Sequence, residues 1–535
     1  LAVLGQRNEA LNCYRVFEDR LYQELQVAPE PETTCLFRQL LDNSVIRMHR
    51  PVRSFLSYPL VPILGRQEEL GLIEQKMRLP DCRLLTILGP GGMGKTRLAQ
   101  EASLRLQALF LDGVYWVDLD TRQGEEELFL PIARAVGLSP RVLSDMTGYH
   151  PQGTLKSQLI DLLLTKRILL VLDGIECKLE HAHQLSELLH QLPHVKILVT
   201  SRVRLNLEGE QVLLLQELHY PRAESVPANA EDYPAVCLFL ESARRINPYF
   251  LPDPAELAAV VCICQFNQGL PLGILLSSAW VGTLAPSQII TEIQKNLEFL
   301  STGWQDLPER QRTLLATFDF SWQLLDQDLR LVFIRLAVFQ GDFTSEQAIQ
   351  VTETSLVQLK SLVDHTLLQH SGETSFRMHN LLRQYALRQL ASFPTIYQAV
   401  KERHCALFLE NLAAFEPRLK SSAQFEALAD MDNQLPDLLS AWDWAASHQR
   451  LEQLAGGARA LEYYRVLRGG FSEAIGTFRK ALTSLKSTEL AQDTLIAWVN
   501  LSLRLAFSLL RNHEFSQAAD LVEKIDFRLQ TLDEN

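Results

Sequence analysis

Positive charge is scarce in this chain. Lys and Arg number 51 against 64 Asp and Glu, a net charge of −13 over 535 residues. That balance offers no strong field to a phosphate backbone and argues against a dedicated DNA reader within this span. Cysteine is sparse too. Eight residues, at 13, 35, 82, 177, 237, 262, 264 and 405, include no Cys-x-x-Cys spacing. A disulfide framework is therefore excluded, and buried thiols in a reducing, cytoplasmic setting are expected. Long apolar runs are missing as well. Charge is absent from Leu257 to Thr291, but Gln265, Asn267, Gln268, Gly269 and Pro271 interrupt the stretch. Neither flank reaches the roughly 20 apolar residues of a membrane helix. A buried helix–turn–helix in a soluble protein with no membrane partner is expected. No initiator Met, signal peptide or transit peptide precedes Leu1, which falls inside a helical pattern, so the chain reads as a piece of a longer protein. The 47% hydrophobic and 21% charged content is that of ordinary globular proteins and excludes disordered, collagen-like and coiled-coil classes. The length predicts about three to five domains.

Residues 1–42 read as helical. Leu4, Gly5, Glu9, Ala10 and Tyr14 resemble the turn and second helix of a tetratricopeptide-type hairpin, and Pro29 and Pro31 precede a last helix near Thr33–Leu41. Residues 43–62 read as a solvated linker with Pro51, Pro59 and Pro62; its Arg47, Arg50 and Arg53 make too weak a patch for nucleic acid. Over 63–235, strand-length apolar runs at Leu84–Leu88, Val114–Leu119, Ile168–Leu172, Ile197–Thr200 and Gln211–Leu215 alternate with helical spacing, as at Leu98, Ala102, Leu106 and Leu109. Continuously apolar strands alternating with helices predict an α/β domain with a parallel sheet covered on both faces. Residues 236–308 read as a small helical bundle. Residues 309–392 read as helices and then a strand pair, His365–His370 and Ser375–His379, around Gly372, a winged-helix pattern. Residues 393–535 are helical. A shift of 44 residues aligns Leu461 with Leu505, Tyr463 with Phe507, Phe471 with Phe515, Ser472 with Ser516 and Ala474 with Ala518. Helical-hairpin repeats, usually binding modules, are predicted.

The strongest chemical signal is Gly89-Pro-Gly91-Gly92-Met93-Gly94-Lys95-Thr96-Arg97, directly after the first strand and opening a helix. This is a complete phosphate-binding loop. Its glycines let successive backbone N–H groups face the phosphates at a helix N-terminus. Lys95 brings positive charge to the β/γ-phosphates, and the Thr96 hydroxyl can ligate Mg²⁺. The apolar strand Ile168–Leu172 ends at Asp173, a second Mg²⁺-holding acid. Lys196–Thr200 ends at Ser201 and Arg202, where a guanidinium can meet a γ-phosphate, since ligands in such sheets sit at strand C-termini.

The ordered series Ile63-Leu-Gly65-Arg66, phosphate loop, Val171-Leu-Asp173, Thr200-Ser-Arg202, Gly269-Leu-Pro271-Leu272 and Met378-His379-Asn380 resembles the STAND class of signal-transducing ATPases over about residues 60–392. The resembling module is shared by animal apoptosome proteins, plant resistance receptors and bacterial regulators. Residues 1–41 resemble the end of a bacterial transcriptional activator domain, and 393–535 the repeat sensor that follows such ATPases. The resemblance implies an ATP- and ADP-binding P-loop domain, a small helical domain, a winged-helix lid that does not read DNA, and repeats. It places Arg66 near the nucleotide, Pro271 against adenine, and His379 on the β-phosphate of ADP. Three positions depart from the family pattern: Gln67 replaces a glutamate, Asn380 an aspartate, and Gly174 the second acid of strongly hydrolytic members. Glu176 is the remaining acid that could orient water. Without a well-placed base, roughly 10²–10⁴-fold of acceleration is lost. A slow ATPase acting as a switch is the expectation, with Lys95, Asp173, Glu176 and Arg202 as its chemical residues.

Three functions fit this organisation to different degrees. The first is a nucleotide-dependent switch of a bacterial transcription regulator. An inducer or protein partner would bind the C-terminal repeats, self-association would follow activation, and DNA would be touched only through a domain outside this chain. The second is a defence or cell-death ATPase with a different N-terminal effector. A metabolic kinase or motor ATPase is disfavoured, because neither an acceptor-substrate site nor a second hydrolytic acid is evident.

Overall fold

A computed structural model describes residues 7–25, 29, 33, 34, 37, 61–119, 128–138, 155–222, 226–302, 312–372, 374–483 and 492–533. Leu4 and Gly5, most of the helix expected near Thr33–Leu41, and nearly all of the expected linker with Arg47, Arg50 and Arg53 lie outside the described residues. The chain divides into two compact units, one of residues 1–89 and 94–215, the other of residues 90–93 and 216–535.

In the first unit, five strands form one sheet: β1 (Leu84–Leu88), β2 (Val114–Asp118), β3 (Leu169–Asp173), β4 (Lys196–Ser201) and β5 (Glu210–Leu214). Their order is β2-β3-β4-β1-β5 and every pairing is parallel. β1 and β3 are buried along their whole length, as runs of Leu, Ile and Val with both faces covered must be. On one face, Leu84, Leu170, Leu172, Ile197 and Val199 pack with Leu159, Leu163, Leu185 and Leu188. On the other, helix Lys95–Leu106 lies against β1, β3 and β4 through buried Leu98, Ala99, Ala102 and Leu106. Helix Gln67–Arg78 covers it in turn with Leu70, Ile73 and Met77. Each fully buried Leu or Ile contributes about 1.5–3 kcal/mol relative to exposure. The sheet that carries the phosphate loop is thus held by apolar packing on both sides.

The second unit is almost wholly helical. Helices Pro234–Ile246, Pro254–Phe266, Pro271–Ser278 and Pro286–Lys295 each place a proline in the first turn, where its missing N–H costs nothing. The charge-free stretch from Leu257 to Thr291 falls on the second to fourth of these, with buried Val260, Ile263, Leu272, Ile274 and Ile289. Among the described residues, no helix is long and apolar enough to cross a membrane. Four helices between Leu314 and Asp364 follow. The expected strand pair is present as β7 (Gln369–His370) and β8 (Ser375–Arg377), with a third short strand, β6 (Phe343–Thr344), on the far edge of β8. Two residues are too few to leave an alternating pattern, which is why β6 was not legible in the sequence.

From Pro394 onward the described residues form six helices: Pro394–Leu419, Gln424–Ser447, Leu451–Arg468, Phe471–Thr483, Gln492–Arg511 and Phe515–Asp533. The first, third and fifth pack in succession, with the others alongside. Three of the pairs related by the 44-residue shift have matching environments, while Phe471 is half-buried and Phe515 exposed. Leu461 and Leu505 are buried, as are Ala474 and Ala518, while Tyr463 and Phe507 are each 38% exposed.

Candidate functional site: a phosphate loop and its acid

The loop after β1 turns into helix Lys95–Leu106 at Gly94, whose φ of 91° is a left-handed conformation that suits glycine. No side chain caps the helix and no acid lies in its first turn, so its leading N–H groups and positive dipole end are not competed for by a side chain of their own helix. Gly89 N–H donates to the Ser201 carbonyl at 3.2 Å, anchoring the loop to the end of β4. The Lys95 ammonium donates to the Gly89 carbonyl at 2.7 Å, curled over the loop it belongs to.

The strand order explains which motifs meet. β4 lies between β1 and β3, so Thr200 and Arg202 emerge between the phosphate loop and Asp173. Thr96 Oγ1 donates to Asp173 Oδ1 at 2.8 Å and Thr200 Oγ1 donates to the same oxygen at 2.5 Å. Thr200 Oγ1 also accepts from Gly174 N–H at 3.0 Å. Burial pushes the Asp173 carboxyl above its usual range; the Thr200 and Thr96 hydroxyls oppose this, and the charges of Asp118 and Glu176 add to it. Two contributors were missed in the sequence. Thr200 was read only as part of a motif, although it is the closest donor to Asp173. Asp118 stands directly opposite Asp173 across β2 and β3. An acid at the C-terminal end of an apolar strand was the signal available for it.

Glu176 was expected to orient water. Instead it is ion-paired with Arg202, Glu176 Oε1 to Arg202 Nε at 3.2 Å, with both side chains buried. Arg66 is buried and bonded to Glu69 at 2.7 Å within the first turn of its helix. Arg97 donates to the Val61 carbonyl.

In the second unit, Gly91, Gly92 and Met93 belong to the segment 90–93, and Met93 is fully buried. Leu272 N–H donates to the Gly92 carbonyl at 3.1 Å. Pro271 opens helix Pro271–Ser278 at its first position, behind the turn at Gly269. There φ is +74°, and a Cβ would sit 2.1 Å from the Leu218 carbonyl oxygen. Gly269→Ala should therefore destabilise the fold by about 1–3 kcal/mol or more. Urea unfolding of the chain with an unchanged midpoint would contradict this. His379 follows β8 as the N-cap of helix Asn380–Leu390 and accepts from Leu381 N–H through Nδ1 at 3.2 Å. Its Nε2 is buried without a hydrogen bond of ordinary geometry. Burial depresses its pKa to about 4, against the opposing influence of the Glu217 carboxylate and the nearby Asn267 backbone. At neutral pH the ring is neutral, and since Nδ1 accepts, Nε2 carries the hydrogen. Asn380 ties this position to the Gly269 turn, its N–H donating to Gln268 Oε1 at 2.8 Å and its Nδ2 to the Phe266 carbonyl at 3.4 Å. An aspartate could not make the second bond, which gives the Asn380 departure a physical account.

The family model of the NB-ARC domain matches residues 66–207, the span of the phosphate loop, Asp173 and Arg202. The chain carries an NB-ARC domain. Two curated relatives extend the likeness beyond it. A Mycobacterium bovis protein provisionally named an HTH-type transcriptional regulator is 28% identical over 429 residues, covering 78% of this chain and 46% of that protein. The regulatory protein AfsR of Streptomyces griseus is 26% identical over 412 residues, covering 71% of this chain and 39% of AfsR. The chain thus spans less than half the length of these relatives. Among solved structures, a STAND protein with a tetratricopeptide repeat sensor from Pyrococcus horikoshii is similar at 16% identity and a TM-score of 0.28, covering 90% of this chain and 67% of that one. The matched span contains β1 to β4 of the parallel sheet, and β5 (Glu210–Leu214) follows directly after it. The phosphate loop, Asp173 and Arg202 all lie within the matched span.

Proposed function

We propose that this chain is the adenine-nucleotide switch of a transcription regulator, with Mg²⁺ bound together with ATP or ADP. The observation that carries the reading is the convergence of Lys95, Thr96, Asp173 and Thr200 at the C-terminal ends of β1, β3 and β4. The residues fit the ligand. Gly89, Gly91, Gly92, Met93, Gly94 and Arg97 would supply the loop around the phosphates, and Lys95 would turn from the Gly89 carbonyl to a phosphate oxygen. Thr96 and Asp173 would hold Mg²⁺. The cation would favour the charged form of the buried carboxyl, because a bound divalent ion dominates local electrostatics. Arg202 would read the γ-phosphate, while Arg66 and Pro271 would bound the nucleotide and His379 would donate to the β-phosphate of ADP. With Gly174 in place of a second acid and Glu176 engaged by Arg202, turnover would be slow, as a switch requires.

In this reading residues 309–392 are a winged-helix lid and 393–535 tetratricopeptide-like repeats that receive an inducer or a protein partner. Residues 1–42 are the end of an activator-type output domain. ADP favours a closed state; ATP and inducer favour an open, self-associating one in the cytoplasm. The relatives named as regulators support the transcriptional part. Titrating the chain with ADP and ATP in a calorimeter, with and without Mg²⁺, tests the reading; no heat from either nucleotide would sink it.

DNA would be reached through a domain outside this chain. Three charged residues of the expected winged helix are engaged in internal bonds: Asp326 caps its helix at Leu329 N–H (2.8 Å), Asp319 accepts from the Tyr385 hydroxyl (2.6 Å), and Arg330 donates to the Trp322 and Gln323 carbonyls. With a net charge of −13, the chain should show no sequence-dependent binding to duplex DNA at physiological salt. A gel shift giving sub-micromolar, sequence-dependent binding would overturn this expectation.

A further inference from the structure

We propose that Glu176 is a positioning residue, the counter-ion that holds Arg202 whenever no terminal phosphate is present, so that the pair reports triphosphate against diphosphate. The inference rests on the nucleotide reading above and assigns Glu176 a part different from orienting water.

Three observations carry it. Arg202 is 5% and Glu176 7% exposed, so both charges are largely withdrawn from bulk solvent. They come from adjacent strand ends, Glu176 from the turn Ile175–His181 after β3 and Arg202 just beyond β4, beside the acid–hydroxyl cluster at Asp173. The bond is also a weak form of its type. Carboxylate and guanidinium can join through two parallel bonds of about 2.7–2.9 Å. Here Nε meets Oε1 at 3.2 Å, and the second carboxylate oxygen, Oε2, is buried with no hydrogen-bond partner. A buried pair made through one end can yield its guanidinium to a better anion, and a γ-phosphate is one.

The energetic consequence has a definite sign. Removing one partner of a buried pair takes compensation away from the other charge. In the ADP-bound and nucleotide-free states Glu176 neutralises Arg202. With ATP the γ-phosphate supplies negative charge as well. Neutralising Glu176 therefore penalises the states without a γ-phosphate more than the state with one, and a ligand gains by its differential contacts. Glu176→Gln should raise the ratio of ATP to ADP affinity about tenfold, within the usual range for coupling between sites. In an Arg202→Ala background the same substitution should leave the ratio unchanged, because the charge it acts through is gone.

The experiment measures Kd for Mg·ADP and for a non-hydrolysable Mg·ATP analogue by calorimetry, on the whole chain. It compares wild type, Glu176→Gln, Arg202→Ala and the double variant, each checked for folding by thermal melting. A raised ratio in Glu176→Gln that vanishes with Arg202→Ala supports the pair. An unchanged ratio in folded Glu176→Gln overturns it, whether or not hydrolysis falls; a fall in hydrolysis alone would return Glu176 to the water-orienting role. If wild type binds neither nucleotide, the nucleotide reading fails along with the pair; if it binds both and only the ratio fails to move, the pair alone is lost. A second readout uses no substitution at Glu176. The Arg202 Nε–H resonance of the wild-type chain, assigned with Arg202→Lys, should shift between the ADP and ATP-analogue complexes. A resonance that stays in place overturns the proposal even if Glu176→Gln does not fold.

Discussion

Lys95→Ala should lower the affinity for both ATP and ADP at least tenfold. The side chain brings the only ammonium of the phosphate loop, Gly89–Thr96, into a largely buried position. Hydrogen bonds to charged groups contribute about 1.5–3 kcal/mol in such settings, and 1.4 kcal/mol corresponds to a factor of ten. The substitution should leave the fold intact. Lys95 bonds to a loop carbonyl, and the helix behind it is held by Leu98, Ala99, Ala102 and Leu106. Calorimetric titration with each nucleotide, alongside a thermal melt, separates the outcomes. Unchanged affinity for both nucleotides would remove the phosphate-loop assignment. A lost melt with lost affinity would make Lys95 a structural residue of the loop.

His379→Ala should speed ADP release, weaken ADP more than ATP, and promote self-association without inducer. In the structure the ring is buried, its Nδ1 accepts from Leu381 N–H, and burial depresses its pKa to about 4, so the neutral ring expected at pH 7 keeps its hydrogen on Nε2, the atom that would donate to an anion. Losing a contact made in one state only shifts the equilibrium by the energy of that contact, typically about 1–3 kcal/mol, or roughly 5–150-fold in affinity. Stopped-flow dissociation of ADP and ATP and light scattering would measure both effects. Wild-type rates with an unchanged size distribution would make His379 a helix cap and nothing more. The depressed pKa adds a pH signature. The folded state resists protonating this ring, whereas the unfolded chain takes up a proton near the ordinary value of about 6.5. The histidine therefore costs no stability above that value and destabilises the fold increasingly as pH falls from about 6.5 toward about 4. His379→Ala should flatten the dependence of the unfolding midpoint on pH in that window.

Much of the nucleotide domain was legible in the sequence. Leu84–Leu88 followed by Gly89–Thr96 specifies both a buried strand and the loop it delivers, because the strand pattern and the glycine spacing are local properties. The same holds for Asp173 at the end of an apolar run, for the 44-residue spacing of Leu461 and Leu505, and for the proline-led helix at Pro271. The strands, the loop and the proline-led helix depend on residues within a few turns of one another, and the repeat spacing is a direct self-alignment of the chain, so periodicity, turn chemistry and repetition suffice to find them.

What the tertiary structure decided are the pairings between such segments. No pattern in the sequence says that Glu176 spends its charge on Arg202, or that Thr96 and Thr200, separated by over a hundred residues, share one carboxylate oxygen. Nor does it say that Asp437, in the middle of helix Gln424–Ser447, is buried to receive the N–H groups of Gln340 and Gly341 and the His404 ring. The physical reason is common to all of them. A polar group taken out of water must find a partner, and which partner it finds depends on strand order and helix packing rather than on its own neighbours. The sequence by itself determined that this protein has a phosphate loop, an acid and an arginine at three strand ends. The order β2-β3-β4-β1-β5 decided that they meet, and that the acid expected to orient water lies against the arginine instead.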